Sequence, residues 1–216
     1  MIKRKEKGDL IVISGPSGSG KGTIIKELLK RNSNLHLSVS MTSRAMRDYE
    51  TNGLEYNFVS REEFEAKIQN DELLEYTCYN ENYYGTPKSE ITENIKNGKN
   101  VILEIEIKGA LNVKNLVPEA LFIFIVPPSM QDLLKRLKGR GTEDTEKIIK
   151  RFKTAYREIN EISKYNYVVV NDSIEEATLN IEAIIRSEKL RVDRIEEIEV
   201  GNEEELIHEF LISNEK

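Results

Sequence analysis

The segment Leu10–Thr23 constrains the fold more than any other part of the chain. It opens with the apolar run Leu10–Ser14, which is short, rich in β-branched residues and therefore typical of a buried strand. A glycine-rich turn follows, and Ile24–Lys30 then has the pattern of a helix. Strand, GxxxxGK turn and helix in this order predict a phosphate-binding loop. Glycines let backbone N–H groups converge on phosphate oxygens, and a helix N-terminus favours an anion.

The predicted loop departs from the usual pattern at one position. Gly22 stands where Ser or Thr is expected, and Thr23 follows it. Nucleoside monophosphate kinases commonly carry GKGT here, so the departure favours that group. The alternative is a glycine-rich turn that binds no ligand, and Lys21 argues against it. We expect the loop to bind ATP through Gly15, Pro16, Ser17, Gly18, Ser19, Gly20, Lys21, Gly22 and Thr23.

The net charge of −6 is concentrated at the C-terminal end. Residues 191–216 contain nine acidic and three basic residues, so the preceding 190 residues are balanced and the acidic pI does not exclude an anionic substrate. Cys78 is the only cysteine, which excludes an intrachain disulfide and favours a reducing compartment. Neither a signal peptide nor a membrane-spanning run is evident. We expect a cytoplasmic protein with small-molecule partners and neither nucleic acid nor membrane; a homo-oligomer is left open.

The spacing of apolar residues predicts an α/β chain with one insertion. Residues 37–88 contain short strands without long helices between them, which indicates a small mixed β unit. Strands are predicted at 35–40, 54–59, 101–105, 120–126 and 167–170, with two strands joined by a turn at 73–84. Helices are predicted at 64–70, 89–97, 130–137 and 145–163, with an amphipathic helix near 202–211 that packs on the body or on a second subunit.

Seven motifs in order resemble the guanylate kinase family over roughly residues 8–190. They are 14–23, 38–40 with Arg44 and Arg47, 55–60, 82–86, 103–106, 139–142 and 170–172. The resemblance implies a three-layer P-loop core with a parallel sheet, a mixed β insertion that binds the nucleoside monophosphate, and a helical lid. Residues 1–190 would form the kinase domain, with core 8–36, 89–135 and 164–190, insertion 37–88 and lid 136–163. Residues 191–216 would be an acidic extension.

The activity that this resemblance implies is ATP-dependent phosphorylation of GMP to GDP, with Mg²⁺. One alternative is a kinase of the same fold that acts on another nucleoside monophosphate or a modified guanylate. Another is a non-catalytic interaction module that binds peptides in the former GMP site. Such modules typically lose the phosphate loop and the lid arginines, which this chain retains.

The resemblance also implies roles for residues outside the phosphate loop. Arg44, Arg47, Tyr56 and Tyr84 would hold the acceptor phosphate, since arginine donates paired hydrogen bonds to phosphate oxygens. Guanine would be recognised by the carboxylates of Glu75 and Glu106 and the hydroxyls of Ser40 and Thr86. Lys21, Arg44 and the lid arginines Arg136, Arg140 and Arg151 would be catalytic. Arg136, Arg140 and Asn171 would contact ATP, Arg151 would also reach GMP, and Thr23 and Glu104 would serve the metal.

The acceptor region departs from the family pattern in three ways. Glu106 stands where Asp is usual, Lys108 stands where Gln is usual, and Ala45-Met46 lacks the proline normally found between the two arginines. Phosphate handling is unaffected, but strict preference for GMP is left open. Glu106 is equally compatible with a surface carboxylate at the start of a helix.

Overall fold

The computed structural model describes residues 2–4, 7–79, 81–139, 145–198 and 202–213. The strands, in chain order, are β1 (Ile2–Arg4), β2 (Leu10–Ser14), β3 (Leu35–Leu37), β4 (Met41–Thr42), β5 (Asn57–Phe58), β6 (Leu73–Tyr79), β7 (Asn82–Pro87), β8 (Asn100–Glu104), β9 (Leu121–Val126), β10 (Tyr167–Val170) and β11 (Ile195–Ile198). The helices are α1 (Lys21–Arg31), α2 (Arg61–Gln69), α3 (Lys88–Lys96), α4 (Ile107–Leu116), α5 (Met130–Lys138), α6 (Thr145–Ile159), α7 (Ile174–Glu188) and α8 (Glu203–Ser213). Within these ranges no helix has the length and apolar character needed to cross a bilayer.

The chain divides into two compact units, residues 7–182 and residues 1–6 with 183–216. In the smaller unit β1 and β11 form an antiparallel pair that the sequence did not predict. The predicted C-terminal helix is present as α8, and the side chain of Asn202 accepts a hydrogen bond from the Glu204 amide at 3.1 Å. Three apolar side chains of α8, Leu206, Ile207 and Phe210, are each more than half exposed.

The larger unit is built on a five-stranded parallel sheet with the order β10-β9-β2-β8-β3. Strand β2 lies at its centre, and Ile11, Val12 and Ile13 are fully buried, as expected of a parallel strand covered on both faces. On one face of the sheet, Val12 belongs to an apolar cluster that also contains Ile91 of α3 and Ala110 of α4. The predicted α/β class and parallel core are confirmed. The order reverses at β2, so the carboxyl ends of β2, β8 and β9 border one crevice.

A separate mixed sheet with the order β5-β4-β7-β6 forms the insertion. Helix α2 covers it: Phe64 is fully buried and stacks on Tyr83 at 5.2 Å between ring centroids. The predicted helix start is confirmed, since Ser60 caps α2 by accepting the Glu63 amide at 3.0 Å. The sheet therefore has a small core of its own, completed by Met41 and Leu73.

The predicted lid, 136–163, contains the end of α5 and all of α6. Leu133 and Leu137 of α5 pack against Ala155 of α6, and all three side chains are fully buried. The predicted lid residue Arg140 lies in 140–144, outside the described residues. Helices α5 and α6 share one apolar contact surface.

Several predicted boundaries are wrong. The strand predicted at 54–59 is reduced to Asn57–Phe58, because Gly53 adopts a positive φ of 84° and its amide bonds to the Tyr56 carbonyl, which forms a turn. The helix predicted to reach residue 163 ends at Ile159, where the amide of Asn160 bonds three residues back in place of four. The sequence patterns also did not predict α4 and α7.

Candidate active site

The phosphate loop has the conformation that its glycines allow. At Gly15, where φ is 143°, a Cβ would lie 2.1 Å from the Ile125 carbonyl oxygen of β9. At Gly20, where φ is 92°, a Cβ would lie 2.2 Å from the Asn171 amide nitrogen. The Lys21 ammonium reaches back over the loop and donates to the carbonyls of Gly15 and Pro16 at 2.5 and 3.2 Å. The predicted strand, turn and helix thus place the Lys21 ammonium against the backbone of the phosphate loop.

Asn171, which directly follows β10, contacts the phosphate loop. Its side chain is almost fully buried, and its amide nitrogen donates to the Ser19 carbonyl at 2.6 Å. Its own carbonyl accepts a hydrogen bond from Arg136 of α5 at 2.8 Å. The predicted ATP contact is therefore brought to the loop, where it fixes both the loop and a lid arginine.

The lid helix α6 also contacts the loop. Arg151 donates to the Ser17 hydroxyl at 2.6 Å. The Ser17 amide donates to the carboxylate of Glu158, which lies about two turns further along the same face of α6. Burial raises the pKa of Glu158, and the charge of Glu106 raises it further, although Lys21 opposes this. Arg136 and Arg151 thus lie where the sequence predicted, whereas Glu158 carried no motif that singled it out.

The acceptor side is an open cavity of about 240 Å³ between the mixed sheet and the end of β8. Its phosphate-binding candidates lie together. The Arg44 guanidinium carbon is 5.6 Å from the Tyr56 ring centroid, and Tyr56 packs edge-on against Tyr84 at 5.8 Å. Arg47 and Ser40 also line this cavity. The structure therefore brings together five of the residues predicted to hold GMP.

The base-recognition candidates occupy another wall of the same cavity. Glu75 is only 7% exposed, and burial raises the pKa of its carboxyl group. Thr86 is fully buried behind it and donates its hydroxyl hydrogen to Glu75 at 2.7 Å. Thr86 therefore orients Glu75 in this structure, and the direct base contact that the resemblance implies for Thr86 stays a prediction. Gly109 of α4, which the sequence analysis missed, leaves the space: a Cβ there would lie 2.9 Å from the Glu75 carboxylate.

The end of β8 connects the two halves of the site. Glu104 lines the acceptor cavity, and its carboxylate oxygens lie 3.6 and 3.8 Å from the position of a Cβ at Gly22 of the phosphate loop. The side chain faces the open cleft, yet the surrounding protein displaces enough water to raise its pKa, an effect that Lys21 and Lys26 partly oppose. Glu106 lines the same cavity and precedes α4, so both interpretations of that residue agree with its position.

Comparison with known proteins identifies the family of this chain. The sequence profile of guanylate kinases matches residues 7–188. A guanylate kinase of Clostridium tetani is 55% identical over 206 residues, which cover 95% of this chain and 99% of that relative. The chain belongs to the guanylate kinase family. One of Clostridium acetobutylicum is 53% identical, with 94% of this chain and 97% of that relative covered.

A solved guanylate kinase extends the agreement to three dimensions. The crystal structure of the enzyme from Anaplasma phagocytophilum superposes with a TM-score of 0.74 at 34% identity, covering 89% of this chain and 92% of that one. The resemblance that the motifs predicted is confirmed. The roles of individual residues stay predictions, as do the domain boundaries drawn from the motifs.

The burial of Glu75 gives a stability prediction. Because its folded pKa is raised, the charged carboxylate destabilises the folded state fully above that pKa. The destabilisation is lost as pH falls towards the ordinary glutamate value. We expect Glu75→Gln to raise the melting temperature of the nucleotide-free protein by a few degrees at pH 7.5, since about 1 kcal/mol corresponds to roughly 2–4 °C in a chain of this size. The gain should disappear near pH 4.

Differential scanning calorimetry at several pH values measures this effect. Glu72→Gln is the matched control, because Lys67 and Asn70 lower the pKa of that carboxyl group and its removal should give no gain. A Glu75→Gln protein that melts below the wild type at pH 7.5 would contradict the prediction.

Proposed function

We propose that this chain transfers the terminal phosphoryl group of ATP to GMP, giving ADP and GDP. The observation that carries the proposal is the position of Glu104. One strand end faces both the phosphate loop and the cavity lined by Arg44 and Arg47. Two nucleotides bound on either side would meet there with their phosphates end to end. The guanylate kinase relatives support the same donor and acceptor.

Phosphoryl transfer needs positioning and positive charge more than covalent chemistry. On the donor side, Lys21 and the loop amides would hold the ATP phosphates, replacing the carbonyls that Lys21 now contacts. Arg136, Arg151 and, by the family pattern, Arg140 would surround the group in transfer. A docked lid would also exclude water, which would otherwise compete with the acceptor as nucleophile.

On the acceptor side, Arg44 and Arg47 would hold the phosphate and Glu75 the guanine base. Guanine presents a ring N–H and an amino group that a carboxylate accepts, whereas adenine would place a ring nitrogen acceptor against it. Such an unpaired buried contact costs about 1–3 kcal/mol. Thr86 supports this role, because its hydroxyl fixes the rotamer of Glu75.

The residues present fit a magnesium ion that arrives with ATP. Mg²⁺ is commonly bound through one or two carboxylates together with substrate phosphates and water. Within the described ranges no three acidic, histidine or cysteine side chains cluster as a self-contained metal site, and Glu104 offers hard oxygen ligands beside the loop. Glu104, together with Thr23 in the first turn of α1, would hold the ion or its waters. The bound ion would neutralise charge on the transferring group.

A second candidate function is transfer to another nucleoside monophosphate or a modified guanylate. It is favoured by Glu106, which lines the acceptor cavity where the family usually has a shorter carboxylate. The setting of either activity would be the cytoplasm, in agreement with a single cysteine, Cys78, that is exposed. Measurement of the molecular mass in solution tests whether the chain forms a homo-oligomer.

The proposed function is tested by the acceptor range. With ATP and Mg²⁺ fixed, ADP release is measured with GMP, dGMP, AMP, CMP and UMP. We expect GMP to exceed AMP at least tenfold in kcat/KM, from the cost of an unpaired acceptor beside Glu75. A higher rate with AMP, CMP or UMP than with GMP would overturn the guanine assignment.

The donor side is tested by Lys21→Ala. We expect kcat to fall by a factor of about 100–1,000 or more, because a charge that stabilises the transferring phosphoryl group is lost. Lys30→Ala is the control, since Lys30 lies on the same helix with its side chain largely exposed. Circular dichroism checks the fold, and a Lys21→Ala enzyme within about threefold of the wild-type rate would refute the assigned role.

Glu106→Asp separates the two candidate functions. Shortening the side chain withdraws the carboxylate by more than about 1 Å. If Glu106 contacts guanine, kcat/KM for GMP should fall roughly tenfold while KM for ATP is unchanged. The same substitution at Glu119, an exposed residue, is the control. A rise in GMP efficiency would instead favour a different natural acceptor.

A further inference from the structure

We propose that Glu50 is a positioning residue for the acceptor phosphate. Glu50 holds the two arginines of the acceptor cavity, Arg44 and Arg47, at a fixed separation. This inference rests on the proposed function, because it takes the cavity to bind a nucleoside monophosphate. No sequence motif singled out Glu50. Its carboxylate nevertheless makes more polar contacts within this cavity than Glu75 does in the described structure.

Glu50 contacts both arginines at once. Its two carboxylate oxygens accept hydrogen bonds from the two terminal nitrogens of Arg44 at 2.8 and 3.0 Å, a paired geometry. One of these oxygens also accepts the backbone amide of Arg47 at 2.9 Å. The Glu50 amide in turn donates to the Arg47 carbonyl at 3.0 Å. Glu50 and Arg47 are therefore joined in both directions, and Arg44 is attached to the same carboxylate.

Regular secondary structure does not hold these arginines. Strand β4 ends at Thr42, and residues 43–50 contain neither helix nor strand. The residues between the arginines are Ala45 and Met46, so the chain lacks a proline that would restrict the backbone there. In place of such a restriction, the carboxylate of Glu50 connects the side chain of one arginine to the backbone of the other.

The arrangement leaves Arg44 able to bind a further anion. Glu50 accepts two of the five N–H donors of the guanidinium and the Ala45 carbonyl accepts a third at 2.6 Å, which leaves two for the neighbouring Tyr84 hydroxyl and for a phosphate oxygen. The guanidinium also lies against the rings of Tyr56 and Phe58, with its carbon 5.6 and 5.4 Å from their centroids. Glu50 itself is 9% exposed, so its charge is shielded from water and directed to Arg44. Arg44 is thereby fixed before any phosphate arrives, which lowers the entropic cost of binding.

The test compares GMP with guanosine, which lacks the phosphate. In Glu50→Gln the side chain keeps its length but loses the charge and one of its two acceptors. We expect Kd for GMP to rise roughly tenfold or more and kcat with GMP to fall. Kd for guanosine and KM for ATP should stay within about twofold of wild type. Glu55→Gln is the matched control, because Glu55 lies in the same segment and accepts only the Thr51 amide among the bonds described for it.

Each outcome distinguishes between roles. An equal loss of GMP and guanosine affinity would mean that Glu50 only stabilises the loop, and tighter GMP binding would mean that it competes with the phosphate; either overturns the inference. Should Glu50→Gln fail to fold by thermal melting, Glu50→Asp, which keeps the charge, is measured in the same way and should show the same selective loss for GMP. The proposed function is judged separately, by whether wild-type enzyme phosphorylates GMP at all.

Discussion

The phosphates of two bound nucleotides repel each other, and the rest of this site depends on overcoming that repulsion. Cations must stand between the phosphates, and they must be in place before the ligands arrive. In the described structure each of them has a protein acceptor. The Lys21 ammonium rests on the Gly15 carbonyl, Arg136 on the Asn171 carbonyl and Arg44 on Glu50. These partners keep the positive charges in the crevice. A phosphate would replace the carbonyl acceptors of Lys21 and Arg136, whereas Arg44 would keep Glu50 and bind the phosphate with its remaining donors.

The parts of the fold that sequence patterns predicted are those with strong local signals. Buried strands such as β2 and β9 are continuous apolar runs, and Ser60 marks the start of α2 with its own side chain. The errors come from elements that depend on distant contacts. Strand β5 has only two residues and exists because it pairs with β4, and α4 carries Gly109 in its first turn, which weakens the helix pattern. Gly109 is explained only by the carboxylate of Glu75 opposite it.

The candidate site divides in the same way. Residues within short motifs, such as Lys21, Arg44 and Tyr84, were predicted because their spacing carries the information. Glu50, Glu158 and the contact of Thr86 with Glu75 were not predicted, since each is defined by a contact across the fold. Thr86 and Glu75 are 11 positions apart but adjacent across β6 and β7. A sequence pattern predicts which chemistry is present, whereas the sheet pairing determines which group faces the cavity and which supports it.

The pKa shifts of the acidic residues distinguish the two kinds of role. Burial raises the pKa of Glu75, Glu104 and Glu158, which lie in the cavity or against the phosphate loop. The charge of Lys21 opposes this shift only in part at Glu104 and Glu158. Such carboxylates are costly to the fold and available to a ligand, a combination typical of functional sites. The pKa of Glu50 is lowered instead, because Arg44 and the Arg47 amide stabilise its charge. The carboxylate of Glu50 already accepts hydrogen bonds from Arg44 and Arg47, so it acts on the bound phosphate through these two arginines.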